Sequence, residues 1–135
     1  MGRRDYSGTP LARKLGVREG MQVLVLGAPE GFALEGRSEG VQVRTRVGGR
    51  YDVALLFCTR RAQLARRFPR LAASLPPHGR LWVCWPKKAS GVPTDLSFGE
   101  VQRTGLAAGL VDNKSASIDE AFQGVQFVHR RTGRR

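Results

Sequence analysis

Residues 51–95 decide the fold, and they read YDVALLFCTRRAQLARRFPRLAASLPPHGRLWVCWPKKASGVPTD. Two apolar runs within them, Val53–Phe57 and residues 81–85, do not alternate with polar residues. Such runs are typical of strands that are covered on both faces. Because residues 59–75 between the runs carry a helical pattern, the stretch predicts a strand, a helix and a second strand parallel to the first.

The helical pattern comes from Leu64, Phe68 and Leu71, which fall on one face of the predicted helix. Thr59 is a good N-cap residue and predicts where this helix begins. Pro69 has no amide hydrogen and clashes with the preceding turn, so it predicts a kink or a break.

The rest of the chain predicts further strands around this unit. Residues 22–26 form another apolar run, and residues 41–46 alternate in the manner of an edge strand with one solvated face. The segment 27–40 between them is too short and too rich in glycine for a full crossover helix. Residues 110–117 and 121–129 are joined by a short connection, which requires antiparallel pairing. The predicted fold class is a small three-layer α/β domain with a mostly parallel sheet and a C-terminal antiparallel hairpin.

The composition is strongly basic. The formal net charge is +12, with 19 Arg and 4 Lys against 11 acidic residues. Arginine binds phosphates and carboxylates through a planar fork of N–H donors. The excess therefore predicts an anionic partner, which is a nucleic acid, anionic lipid head groups, an acidic protein or a phosphorylated small molecule. A genome that favours Arg over Lys explains the ratio of the two residues equally well, but it does not explain the excess over acids.

At 135 residues the chain has the length of one domain. We place this domain at residues 1–129 and expect a basic, disordered tail at 130–135. Cys58 and Cys84 lack the spacing of a metal site or a redox pair, so free thiols in a reducing compartment are expected. The sequence has no apolar signal core and no run long enough to span a bilayer. It predicts a cytoplasmic protein without a membrane span or a metal, and it leaves the oligomeric state open.

Two loops form the candidate site, because open α/β sheets bind ligands at the carboxyl ends of their strands. The first loop begins at residue 59, and the second covers residues 87–95, whose ammonium groups, hydroxyls and glycine suit a phosphate or a carboxylate. The predicted anion-binding residues are Thr59, Arg60, Arg61, Lys87, Lys88, Ser90, Gly91, Thr94 and Asp95. The alternative is a rigid turn whose prolines fix the path and whose last two residues only cap the next helix.

The predicted helix offers a second basic surface, because its five arginines have no acidic residue among them. They are Arg60, Arg61, Arg66, Arg67 and Arg70. Such a face predicts contacts with the phosphates of a nucleic acid, and an ordinary solvated face is an equal alternative. Tyr6, Phe32 and Tyr51 are the aromatic residues expected to be exposed for base stacking.

The turn after residues 22–26 is where a glycine-rich sequence would bring the backbone close to a dinucleotide or S-adenosylmethionine. Only Gly27 and Gly31 remain of such a sequence, and Pro29 removes an amide donor. The predicted strand at 41–46 ends in arginine, where a carboxylate would bind ribose hydroxyls. No cofactor is therefore expected.

The order of strands and helices, together with GRLWVCWPK at residues 79–87, resembles an abbreviated class I methyltransferase. The segments DYSGTPLARKLG, YDVALLF, WPKKASGVPTDL and GLVD resemble an uncharacterised bacterial family of small Rossmann-like proteins, over nearly the whole chain. Both resemblances imply a Rossmann-like sheet. The methyltransferase resemblance implies Gly27 and Gly31 as cofactor contacts, and neither resemblance supplies a catalytic residue.

For function, we expect a non-catalytic binding module whose basic crevice takes an anionic partner. The chain has no Ser/His/Asp order, no usefully spaced carboxylate pair and no phosphate loop that would favour an enzyme. The alternative is a methyltransferase-like enzyme, or a protein that binds a nucleotide or S-adenosylmethionine. A third possibility is an interaction role through the edge strand at residues 41–46.

Overall fold

The computed structural model describes residues 9–131, and its strands form one six-stranded sheet. The strands are β1 (Gln22–Leu26), β2 (Gln42–Arg44), β3 (Val53–Phe57), β4 (Arg80–Pro86), β5 (Leu110–Ser117) and β6 (Phe122–His129). The helices are α1 (Leu11–Lys14), α2 (Arg61–Ala73) and α3 (Phe98–Ala107). Most of the predicted tail lies outside the described residues, which end at position 131.

The strand order is β2-β1-β3-β4-β6-β5, and the first four strands in this order are parallel. Strand β6 runs antiparallel to both β4 and β5. This arrangement confirms the predicted fold class of a mostly parallel sheet with a C-terminal antiparallel hairpin. The chain leaves β1 towards β2 on one side and returns to β3 on the other side, so the strand order reverses between β1 and β3. Open α/β sheets bind their ligands at such a switch point.

Strand β3 is covered on both faces, and every one of its residues is at most 2% exposed. Ala54 and Leu56 belong to an apolar cluster with Phe68 of α2 and Val101 of α3. The other three residues of β3 face a second cluster that includes Leu34. The helices α2 and α3 therefore form one outer layer of the domain.

The second outer layer is irregular. It consists of the four-residue helix α1 and the segment 27–41, in which no helix forms although every residue is described. Phe32 and Leu34 of this segment pack against the sheet beside Leu15. The prediction that this connection lacks a full crossover helix is confirmed.

The structure corrects the predicted start of α2 and excludes a break at Pro69. Arg60, not Thr59, is the N-cap residue, and the side-chain oxygen of Gln63 accepts hydrogen bonds from the amides of Thr59 (2.9 Å) and Arg60 (3.1 Å). The helix also continues through Pro69 to Ala73 without a break. Burial of Phe68 and Leu71 on either side of the proline offsets the loss of one backbone hydrogen bond.

No helix within residues 9–131 is both long and apolar enough to cross a bilayer.

The contact between α3 and β6 requires a glycine at position 105. A Cβ atom on Gly105 would overlap the ring of Phe127, which is fully buried and packs edge-on against Phe68 at 5.6 Å between ring centroids. We expect Gly105→Ala to lower the free energy of unfolding by about 1 to 2 kcal/mol, because overpacking outweighs the gain in helix propensity. Urea unfolding followed by circular dichroism measures this change.

Gly99→Ala in the same helix is the matched control. A Cβ atom there would lie no closer than 3.5 Å to a neighbour, the Arg103 guanidinium. This variant should be neutral or slightly more stable than the wild type. Equal destabilisation by both variants would contradict the packing explanation.

Candidate functional site

At the carboxyl edge of the sheet, where the parallel strands β1 to β4 end, the chain after β1 passes close to the end of β3 at Gly27. This residue follows β1 with a φ of 72°, a conformation that favours glycine. A Cβ atom on it would lie 2.6 Å from the carbonyl oxygen of Phe57 at the end of β3. The chain can therefore pass this close to β3, at the switch point of the sheet, only because residue 27 has no side chain.

A cavity of about 690 Å³ opens beside Gly27. Four arginines line it, Arg46 from the segment after β2 and Arg66, Arg67 and Arg70 from α2, and we name it the arginine cavity. A guanidinium nitrogen of Arg67 lies 3.1 Å from the place that a Cβ atom on Gly27 would take. The arrangement brings four positive charges to the switch point.

None of these four arginines forms an ion pair within residues 9–131. The two ion pairs found there both involve Glu100, which contacts Arg61 at 3.6 Å and Arg103 at 3.0 Å. The positive charge around the arginine cavity is therefore not neutralised by a described carboxylate.

Arg44 adds to this charge from the last position of β2. It pairs with Leu24, whose side chain lies in the cluster under α2, so Arg44 lies on the same face of the sheet. Its terminal nitrogen Nη2 donates a hydrogen bond to the Arg50 carbonyl at 2.7 Å. Its Nε is buried and has no partner among residues 9–131.

A second cavity, of about 340 Å³, lies on the other side of the end of β2. Its walls include Val25, Pro29, Phe32 and Leu34, and we name it the Phe32 cavity. Thr45 lines both cavities, so they are neighbours. Gly27 lines the arginine cavity and Gly31 lines the Phe32 cavity. These are the two glycines that sequence analysis singled out in the turn after β1.

The predicted anion-binding loops use many of their polar groups in internal hydrogen bonds. The Lys87 ammonium donates to the Ser117 hydroxyl and to the Asp119 carbonyl, both at 2.7 Å. The Ser90 hydroxyl donates to the Lys87 carbonyl at 2.7 Å and accepts from the Val92 amide at 3.1 Å. These contacts fix the path of residues 87–92.

The two loops contact each other directly. The Thr94 hydroxyl donates to the Thr59 carbonyl at 2.7 Å, and the Asp95 carboxylate accepts from the Arg61 amide at 2.7 Å. Asp95 therefore caps α2 rather than α3, which is capped by Ser97. Arg60, Arg61, Lys88 and Gly91 remain exposed. The anion-binding role of these loops stays a prediction.

The expectations about aromatic residues were partly wrong. Tyr51 is only 3% exposed, and its hydroxyl donates to the Leu71 carbonyl at 2.7 Å. Phe32 is half-buried, and Tyr6 lies outside the described residues. Phe98, which sequence analysis missed, is 48% exposed at the start of α3. Helical spacing gave no signal for this exposure, because Phe98 falls on the same face of α3 as the buried Val101 and Gly105.

Both cysteines are free and buried, as predicted. Burial raises the pKa of the Cys58 thiol to about 11, although the positive charges of Arg67 and Arg66 act in the opposite direction. Burial also raises the pKa of Cys84. No group of three or more metal-ligating side chains occurs in the described part of the chain.

Solved structures show that this arrangement of strands and helices is a methyltransferase fold. A SAM-dependent methyltransferase from Aquifex aeolicus superposes with a TM-score of 0.61, at 15% identity over 85% of each chain. The magnesium protoporphyrin IX methyltransferase of Synechocystis, solved with bound S-adenosylhomocysteine, gives 0.57 at 11% identity over 83% of this chain and 75% of its own. A Burkholderia thailandensis didemethyltoxoflavin N1-methyltransferase gives 0.58 at 17% identity, over 87% and 73%.

No family model matches the sequence, and no curated protein does. At these identities the solved structures establish the fold and leave the activity to be argued from the site.

Removal of the Asp95 carboxylate tests the contact between the two loops. Because this carboxylate caps the first amide of α2, we expect Asp95→Ala to destabilise the protein by about 1 kcal/mol. Asp95→Asn keeps a side-chain acceptor and should lose less. Thermal or urea unfolding of the three proteins measures the difference, and an unchanged stability of Asp95→Ala would contradict the capping role.

The thiols should be unreactive in the native protein. A pKa of about 11 keeps Cys58 protonated at pH 8, and the protonated thiol is a poor nucleophile. We expect a chromogenic disulfide reagent at pH 8 to react slowly with the folded chain and with both thiols once the chain is unfolded in urea. Rapid reaction of the folded protein would show that the carboxyl edge opens readily near Cys58.

Proposed function

We propose that this protein, which has a methyltransferase fold, binds a phosphorylated small molecule in the arginine cavity and does not transfer a methyl group. One observation carries the proposal. Arg46, Arg66, Arg67 and Arg70 line one cavity at the switch point of the sheet, and no carboxylate of residues 9–131 pairs with them.

Phosphate is the ligand group that fits this arrangement. A guanidinium offers several N–H donors in one plane and forms paired hydrogen bonds with phosphate oxygens. The volume of about 690 Å³ is in the range of small-molecule sites. Arg60 and Lys88 are exposed at the carboxyl ends of β3 and β4 and extend the positive surface along the same edge.

S-adenosylmethionine binding by a methyltransferase-like enzyme is the second candidate. The fold shared with the structures described above and the close-packed turn at Gly27 favour it. The charge opposes it, because this cofactor carries a net positive charge from its sulfonium and ammonium groups. Residues 44–46 at the end of β2, which read Arg-Thr-Arg, would repel that charge and offer no carboxylate to the ribose.

Other sequence predictions enter the proposal unchanged. We place the function in the cytoplasm and assign it to one domain at residues 1–129. Membership of the small Rossmann-like bacterial family also stays a prediction. Nucleic acid and acidic protein are the alternative partners, and the thermal-shift panel described next includes a probe for each.

A thermal-shift panel tests the ligand class. We expect inorganic tripolyphosphate at low salt to raise the melting temperature, because ligands that bind only the folded state stabilise it. Adding 0.5 M salt should remove most of this shift. A shift with S-adenosylmethionine but none with tripolyphosphate would establish the second candidate instead. A short single-stranded RNA and poly-glutamate complete the panel, and stabilisation by one of them alone would favour that partner.

Charge removal tests the location of the site. Arg67→Gln with Arg70→Gln should weaken tripolyphosphate binding by about tenfold or more in titration calorimetry, because two charge-assisted contacts are lost. The matched control is Arg130→Gln with Arg131→Gln, which removes the same charge. These residues follow the end of β6, which lies at the amino ends of the parallel strands and therefore opposite the arginine cavity. An equal loss in both double variants would mean that net charge alone governs binding.

A further inference from the structure

The Phe32 cavity and the arginine cavity adjoin at the carboxyl edge, one on each side of the end of β2, and we name the two together the depression. Thr45 lines both, and the consecutive residues Gly27 and Ala28 each line one of them. The two parts differ in chemistry. Four arginines and three apolar side chains line the larger part, whereas the smaller part has one arginine, Arg37, and walls that are otherwise mainly apolar.

The aromatic wall of the smaller part is fixed in position. The ring of Phe32 packs edge-on against Phe57, with 5.0 Å between centroids and 62° between planes. Phe57 in turn packs edge-on against Phe122, at 5.4 Å between centroids. A chain of three aromatic rings joined by two contacts, from the segment 27–41 to β6, therefore holds the Phe32 ring at the cavity. A ring held in this way loses little conformational freedom when a flat group packs on it.

We propose that the depression binds a nucleoside polyphosphate, with the base in the Phe32 cavity and the phosphates in the arginine cavity. The inference rests on the proposed function and adds to it the identity of the ligand class. A flat aromatic base with apolar faces suits a small cavity walled by Val25, Pro29 and Phe32. Thr45, between the two parts, offers a hydroxyl where the sugar would lie.

A single polymer strand fits the depression less well than a mononucleotide. The Phe32 cavity is one pocket for one flat group, and Phe32 is the aromatic residue that the described chain presents to it. Single-strand binding instead uses several aromatic platforms along a groove. The exposed ring of Phe98 does not add a second platform to the depression, because it lies near the end of β4 and lines two other cavities.

Titration calorimetry with ATP, GTP, inorganic tripolyphosphate and adenosine, without added divalent metal, tests the inference. Tripolyphosphate carries more negative charge than either nucleotide, so charge alone would make it the tightest ligand. We expect the tighter of the two nucleotides to bind at least about tenfold more tightly than tripolyphosphate, through stacking of the base. Adenosine alone should bind weakly.

Phe32→Leu keeps the wall apolar and removes the aromatic ring. We expect this variant to lose most of the preference for the nucleotide while its affinity for tripolyphosphate stays within about twofold. Phe98→Leu, which removes an exposed ring away from the depression, is the control and should leave both affinities unchanged.

The outcomes separate the two proposals. If tripolyphosphate binds in the wild-type protein as tightly as both nucleotides do, the base site is overturned and the phosphate site stands. If neither tripolyphosphate nor a nucleotide binds at low salt, the proposed function itself fails. The wild-type comparison does not depend on how well the variants fold.

Discussion

Burial of β3 on both faces is the constraint on which the other elements depend. A central strand whose residues are all almost fully inaccessible needs an apolar layer on each side. The helices α2 and α3 supply one layer in a regular way, through Leu64, Phe68 and Val101. The other layer is supplied by α1 and by the segment 27–41, which contributes Phe32 and Leu34 without forming a helix.

This difference between the layers shapes part of the candidate site. A crossover helix after β1 would occupy the space beside the end of β2, whereas the irregular segment leaves the Phe32 cavity there. The arginine cavity lies on the α2 face of the sheet. One cavity is bordered by the arginine face of α2 and the other by the ring of Phe32. The fold thus places two cavities at the switch point, and the arginine side chains around the larger one make its surroundings positively charged.

The methyltransferase fold therefore indicates where a ligand site lies, but it says less about the chemistry of the ligand. The structures that share the fold include proteins solved with S-adenosylhomocysteine, and the same switch point exists in this chain. Its surroundings are basic here, because Arg44, Arg46 and Arg67 lie at or near the end of β2 and the turn at Gly27. A fold accommodates many ligands, and the electrostatics of the site select among them.

Sequence alone determined the strands, the antiparallel hairpin and the buried thiols, because apolar runs and short connections are local signals. It also showed the excess of basic residues and the unusual turn at Gly27. Only the tertiary structure decided how these groups are used. It assigned Thr94 and Asp95 to contacts between loops, buried Tyr51 and gathered four arginines from two segments around one cavity. Such contacts join residues that are far apart in the chain. No local sequence pattern encodes which polar side chain forms a hydrogen bond within the protein.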